Sequence, residues 1–546
     1  MEKNKNILVI IPARGGSKGI PRKNIRSLNG KPLISYSIQT AITSKYKPDV
    51  YVSSEDDEIL SISELLGAKI HKRNIEKAFD IVTLDPVIFD AFTSICKKER
   101  KNYDIIVTLQ PTSPLLKTKS LDKALEKIIE NPDIDTIISA LDDTHLTWRK
   151  LNDTYIPNYE KRVNRQYLTP VFRESGGFLI TRSEFLSENN RIGKNVDLYI
   201  LDNGEEIDID SFQDWHLCEY YLKRKKILFV LSGYTEIGLG HAYNALVIAN
   251  DILNHEIVFL VDQRSQLAFD KIAEKNFKVT IQRDSSILKD IEELKPDIII
   301  NDRLDTSKEY ISDLKKMGYK VINFEDLGEG AQSADLVINA MYPEKIPLPR
   351  HYFGPKYFCI RDEFIFAPQK IITEKIGCVL LSFGGVDPNN FTCKVLGAIY
   401  EFCVENSIAI NVVAGFGYER YDSLERFEKI NIYKNANNIA EHMVKADIIF
   451  TSAGRTTYEA ASIGTPTIVL AQNSREMTHF FASWQYGILN LGCGTLISEM
   501  EIFAAFKRVV EHPEMRKYMS EMMLNANIRE GRKNVINLIK QVVEGS

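Results

Sequence analysis

A chain of 546 residues is too long for one hydrophobic core, so at least two domains are expected. With 44% hydrophobic and 26% charged residues the composition is globular, and a net charge of −5 argues against broad contact with nucleic acid or anionic membrane. Seven scattered cysteines (96, 218, 359, 378, 393, 403 and 493) without a C-x-x-C pair argue against a disulfide framework or zinc site and fit a reducing cytoplasm.

The opening Met1-Glu-Lys-Asn-Lys-Asn6 lacks the apolar region of a signal peptide, and no apolar run approaches the about 18 residues of a membrane helix. A cytoplasmic protein without a membrane span is expected. The first strand is Ile7–Ile11, and a loop of unusual content follows it: Pro12-Ala-Arg-Gly-Gly-Ser-Lys-Gly-Ile-Pro-Arg-Lys-Asn24. Gly15 and Gly16 let a ligand approach the backbone, and Arg14, Lys18, Arg22 and Lys23 call for a polyanion. A triphosphate satisfies both, with Ser17 among its contacts; the plain alternative is a basic surface turn. A P-loop is excluded, because Gly-x-x-x-x-Gly-Lys-Ser/Thr is absent from this stretch. A dinucleotide fingerprint is excluded too, since Pro21 falls where its helix would run.

Further along, Lys72-Arg73 with Asp80 and Asp85 forms a charged stretch after a short strand at Lys69–His71. Leu109-Gln-Pro-Thr-Ser-Pro-Leu115 follows the strand Ile105–Leu109 and puts Gln110, Thr112 and Ser113 at its C-terminal end, where open α/β sheets bind ligands. Glu206-Ile-Asp-Ile-Asp210 reads as a strand that turns Asp208 and Asp210 to one side and Ile207 and Ile209 to the core. Paired carboxylates suit Mg²⁺ held against nucleotide phosphates; a pair of surface acids on an edge strand is the alternative.

The glycine loop Ala13–Asn24, Leu109–Pro114 and Ile207–Asp210, in this order, resemble the signature motifs of the acylneuraminate cytidylyltransferases over residues 5 to about 223. The resemblance implies transfer of CMP from CTP to the anomeric hydroxyl of a nonulosonic acid, releasing pyrophosphate. It implies that Arg14, Lys18 and Lys23 hold the triphosphate, Asn24 and Arg73 place the nucleotide, Gln110 faces the sugar, and Asp208 and Asp210 hold Mg²⁺. Lys23 is the candidate catalytic cation. The chain departs from the family pattern at Arg73-Asn74, often Arg-Pro, and at Glu174-Ser-Gly-Gly-Phe178, where Asn-Gly-Ala is usual.

A helix over Phe212–Lys225 closes this part, and Ile227–Leu231 restarts the chain as a new strand. Apolar runs then recur at Ile257–Val261, Ile298–Ile300, Val321–Phe324, Val379–Ser382, Ile408–Val413, Ile448–Thr451 and Thr467–Leu470, as do Val50–Ser53 and Ile137–Ser139 before it. Alternation with helix-length segments predicts parallel, doubly wound α/β sheets. The expected domains are 1–225, 226–368 and 369–546.

The second part carries Ser232-Gly-Tyr-Thr-Glu-Ile-Gly-Leu-Gly-His241, a glycine-rich loop that sets His241 at a helix start as a candidate general base. It also carries Gly384-Gly385 after a strand, and Ser452-Ala-Gly-Arg-Thr-Thr-Tyr-Glu459. Gly454, Thr456 and Thr457 at a helix N-terminus suit a phosphate, and Glu459 suits ribose hydroxyls; N-capping is the structural alternative. With Gly238-Leu-Gly-His241, Ala334-Asp-Leu-Val-Ile-Asn339, Phe353-Gly-Pro-Lys-Tyr357, Ile360-Arg-Asp-Glu-Phe364 and Gly384-Gly-Val-Asp-Pro388, this half resembles two-lobed GT-B-type enzymes. It resembles most the UDP-sugar hydrolase of the pseudaminic acid pathway, across roughly 226–500, with Asn244 where that family usually has Arg. That resemblance implies water attack at an anomeric carbon with UDP leaving, His241 as base and no metal. A glycosyltransferase using the CMP-sugar, or a silent nucleotide-sugar-binding or oligomerisation module, remains open. The expectation is a bifunctional, homo-oligomeric enzyme of bacterial nonulosonic acid metabolism.

Overall fold

The computed structural model describes residues 5–545 except positions 18, 80, 235, 236, 345, 346, 416, 435 and 437, so Lys18 and Asp80 lie outside the described residues. Contacts divide the chain into two compact units, residues 1–224 and 225–546.

The first unit is built on a seven-stranded sheet in the order Val196–Ile200, Thr136–Asp142, Phe172–Arg182, Ile105–Leu109, Ile7–Pro12, Asp49–Ser54, Lys69–Lys72. Ile7–Pro12 shows why both faces are covered. Ile7, Val9 and Ile11 enter one buried cluster, with Leu121, Ala124, Leu125 and Ile128 of the helix Thr118–Glu130. Leu8 and Ile10 enter another, with Ile88, Ala91 and Ile95 of the helix Leu84–Glu99. Alternate strand residues thus face opposite layers of helix, which is the doubly wound arrangement.

One strand departs from the expected parallel sheet. Phe172–Arg182 runs antiparallel to both neighbours, with a register shift between Glu174 and Leu179. Glu206–Asp210 is not a strand: it leaves a turn at Glu206, runs through Ile207–Ile209 without regular structure and bends at Asp210. Ile207 and Ile209 still pack inward, against Ile20, Leu28, Leu33 and Trp215, so the alternation survives without a ladder partner.

The second unit holds two sheets, both wholly parallel. The first lobe runs Lys278–Ile281, Glu256–Val261, Lys226–Leu231, Ile298–Asp302, Lys320–Phe324, Leu336–Asn339, His351–Phe353. The second runs Asn431–Lys434, Ala409–Ala414, Cys378–Leu381, Ile448–Thr451, Thr467–Ala471, Ile488–Cys493. The last helix, Gly531–Glu544, does not stay with the second lobe. Its Val535, Ile539 and Val543 are buried with Ile227, Phe229 and Ile338 of the first. Two parallel-sheet lobes of this kind, with the chain end returned to the first, form a GT-B-type arrangement. Among the described residues no helix is long and apolar enough to cross a membrane.

Candidate functional sites

Four parallel strands of the first unit lie side by side, so the segments that leave their C-terminal ends share one edge: Gln110–Pro114, the glycine loop, Glu55–Asp56 and Arg73. Lys23 joins the glycine loop to the acidic segment, its Nζ donating to the Ile209 carbonyl at 2.5 Å and lying 3.4 Å from Asp210 Oδ1. The Ile209 N–H in turn donates to the Thr112 carbonyl at 2.8 Å. The three predicted segments therefore meet. Asn24 Nδ2 donates to the Arg14 carbonyl at 2.9 Å and closes the glycine loop from within. Ser37 Oγ donates to the Gln110 carbonyl at 2.9 Å.

At the centre of this edge are polar atoms that the protein leaves unsatisfied. Asp208 Oδ1, Thr112 Oγ1 and Ser113 Oγ are buried and have no hydrogen-bond partner among the described residues. Buried polar groups are rarely left so, and a cluster of them marks a place for a ligand. Burial pushes the Asp208 carboxyl above its ordinary range. The neighbouring Thr112 hydroxyl, which meets no hydrogen-bond geometry with Oδ1, and Lys23 oppose this, whereas Asp210 and Asp214 add to it. Asp210, two residues on, has its side chain 84% exposed. The pair was expected to face one way, but one acid is sunk and the other open.

In the second unit His241 Nδ1 lies 2.6 Å from Asp302 Oδ1, and Asn244 Nδ2 donates to Asp302 Oδ2 at 2.5 Å. A carboxylate only accepts, so Nδ1 carries the proton here and Nε2 is the basic nitrogen. Asp302 ends the strand Ile298–Asp302, at the C-terminal edge where open sheets bind ligands. From the second lobe Arg455 reaches in: its Nη2 donates to Asn244 Oδ1 at 3.0 Å and to the Cys359 carbonyl at 3.2 Å, over the Phe358 ring. Glu325 follows the adjacent strand and accepts from the Ala340 and Met341 N–H groups. Burial pushes its carboxyl up to about 7, against the pull of Arg455 and of those two N–H groups.

The second lobe's predicted residues divide. Gly384 and Gly385 follow Cys378–Leu381 with open space at both Cα atoms, Gly384 at φ 83. Gly454 precedes the helix Thr456–Ile463, whose Thr456 is half-buried. Thr457 is fully buried and spends its hydroxyl on the Gly454 carbonyl at 2.7 Å, so it closes the turn. Glu459 Oε1 accepts from Arg361 Nε and Nη2 at 3.1 and 2.9 Å, so this oxygen is engaged within the protein.

The cytidylyltransferase family model matches residues 8–204. The chain is 33% identical over 226 residues to a pseudaminic acid cytidylyltransferase of Campylobacter jejuni, covering 40% of this chain and 96% of that protein. The chain belongs to the cytidylyltransferase family. It is also 33% identical over 273 residues to an uncharacterised protein of Methanocaldococcus jannaschii, covering 45% of this chain and 56% of that one. With 31% identity and 52% of an N-acylneuraminate cytidylyltransferase A of Danio rerio covered, the chain spans about half the length of these two relatives. A solved MurG from Acinetobacter baumannii overlays on 58% of this chain and 99% of its own, with 14% identity and a TM-score of 0.42.

Within the cytidylyltransferase unit, two predicted residues are engaged by one acid. The Gly15 N–H donates to Glu55 Oε1 at 2.7 Å, and Gly16, the next residue, is exposed with open space at its Cα. Arg73 is buried, its side chain 4% exposed, and its Nη2 donates to Glu55 Oε2 at 2.6 Å. Sequence reasoning missed Glu55, Asp302 and Arg455, and it missed why Gly176 is glycine. Phe178 pairs with Leu109, which runs Gly176 past the same edge. A Cβ there would lie 2.7 Å from Asp208 Oδ2. Ser139 Oγ, accepting from the Phe178 N–H at 2.8 Å, pins the segment. Gly176→Ala is expected to displace the Asp208 carboxylate and lower cytidylyl transfer by about tenfold or more, with circular dichroism unchanged. An unaltered rate would show that this contact does not matter.

Proposed function

We propose that the first unit transfers CMP from CTP to the anomeric hydroxyl of a nonulosonic acid and releases pyrophosphate. The observation that carries this reading is the convergence of the glycine loop, Gln110–Pro114 and Asp208–Asp210 on one sheet edge around unsatisfied buried oxygens. The names of the Campylobacter and Danio relatives, a pseudaminic and an N-acylneuraminate cytidylyltransferase, support the substrate class.

Transfer at an α-phosphate is chiefly positioning and charge neutralisation. Arg14, Lys18 and Lys23 supply the charge for the triphosphate, Gly16 and Ser17 the close backbone, and Asn24 holds the Arg14 peptide in place. Gln110, Thr112 and Ser113 face the acceptor sugar. Mg²⁺ fits the donor set. Asp208 offers a buried oxygen without a partner and Asp210 an open one, and the ion keeps few protein ligands. Held there by Asp208 and Asp210, it would neutralise charge developing on the phosphates. Lys23, lying against Ile209 and Asp210, keeps the acidic segment at the phosphate end of the loop.

For the second unit the reading is hydrolysis of a UDP-sugar. His241, oriented by Asp302, removes a proton from water at Nε2 as the oxygen attacks the anomeric carbon and UDP departs. The support is the His241–Asp302–Asn244 geometry at a ligand-binding sheet edge. Neither reaction calls for a membrane, and both suit a cytoplasmic enzyme.

Asp208→Ala is expected to abolish Mg²⁺-dependent pyrophosphate release from CTP and leave UDP release intact; full pyrophosphate release would exclude the metal role. Asp302→Asn is expected to slow UDP release at least about a hundredfold and spare pyrophosphate release. Transfer of a CMP-sugar to an acceptor instead would mark a glycosyltransferase, and no turnover by the unsubstituted protein a silent binding module.

A further inference from the structure

Beside the glycine loop, the strand Asp49–Ser54 passes through Glu55 and Asp56 into the helix Asp57–Leu65, and no role has yet been given to these acids. Glu55 spends both carboxylate oxygens at once: Oε1 accepts the Gly15 N–H at 2.7 Å and Oε2 accepts Arg73 Nη2 at 2.6 Å. Both side chains are largely buried, Arg73 at 4% and Glu55 at 14% exposure. Asp56 presses from beside it. A Cβ on Gly15 would lie 2.4 Å from Asp56 Oδ2, which accepts Arg22 Nη1 at 2.5 Å. Two residues before Gly15, the Ala13 N–H donates to the Ser53 carbonyl at 3.0 Å.

We propose that Glu55 is a positioning residue of the CTP site, through which buried Arg73 fixes the glycine loop; this rests on the cytidylyl-transfer reading above. An anion-binding loop works only if its peptide planes already face the ligand, because reorienting them costs binding energy. Glu55 sets the plane of the Gly15 peptide, and Gly15 leads directly into Gly16 and Ser17. The guanidinium of Arg73 locks that carboxylate in turn, with Glu55 held below its ordinary range despite burial by Arg73 and the Gly15 N–H. Arg73 therefore acts on the nucleotide at one remove. Its Nε is a further donor on this cation, buried and without a partner among the described residues.

The test is a double-mutant cycle on the full chain, with CTP and Mg²⁺ as the titrated ligand in calorimetry. Glu55→Gln and Arg73→Met are each expected to weaken CTP binding about tenfold. The double variant should be no worse than the weaker single, because one relay is lost only once. Hydrogen exchange should accelerate in residues 13–24 and stay unchanged in the sheet. CTP affinity within twofold of the unsubstituted protein for Glu55→Gln would overturn the proposal. So would additive losses, or faster exchange throughout residues 5–224, which would mark a purely structural pair. If the unsubstituted protein binds no CTP, the transfer reading itself fails, an outcome told apart by that control.

Discussion

Lys23 donates to the carbonyl of Ile209, 186 residues further along the chain, and this contact ties the first unit's glycine loop to its acidic segment. It brings a cation of the glycine loop onto the segment that carries Asp208 and Asp210, and the Ile209 N–H passes the tie on to Thr112. The parallel strands make the meeting possible by delivering their loops to one edge. The antiparallel strand Phe172–Arg182 brings Gly176 to that edge from the opposite direction. With no side chain at Gly176, Asp208 can sit where burial disfavours its charge, which suits a site completed by a cation.

The second unit relies on a different interaction of the same kind. Asp302 holds Nδ1 of His241 and is itself held by Asn244, which accepts from Arg455 of the other lobe. The residue that orients the proposed base is thus tied to both lobes, and the returning helix Gly531–Glu544 packs the chain end onto the first. The Asp302 carboxylate keeps the base in one tautomer, with the proton on Nδ1.

Much of this was legible in the sequence because strong signals are local. Runs such as Ile7–Ile11 and Ile105–Leu109 have one pattern and one outcome, and cations packed beside paired glycines demand an anion. What was not legible came from contacts between distant segments. Nothing near Phe172 announces an antiparallel strand, since its pattern is polar through Glu174 and Ser175. Glu206–Asp210 kept its alternation yet found no neighbouring strand. Glu459 and Thr457 have the composition of a nucleotide site, and the sequence does not announce that Arg361 donates to Glu459 Oε1 or that the Thr457 hydroxyl donates to the Gly454 carbonyl. Asp302 had a visible signal, an acid ending the apolar run Ile298-Ile-Ile-Asn-Asp302, and only the fold shows which histidine it serves.

The account's central claim is that CTP and a nine-carbon acid sugar meet at the edge tied together by Lys23. The most direct measurement incubates the full chain with CTP, Mg²⁺ and, separately, sialic, legionaminic and pseudaminic acids, following nucleotide-sugar and pyrophosphate together. The account predicts that at least one acid is converted to its CMP-sugar with one pyrophosphate released per product. Pyrophosphate release without a CMP-sugar, or no reaction with any of the three acids, would contradict it.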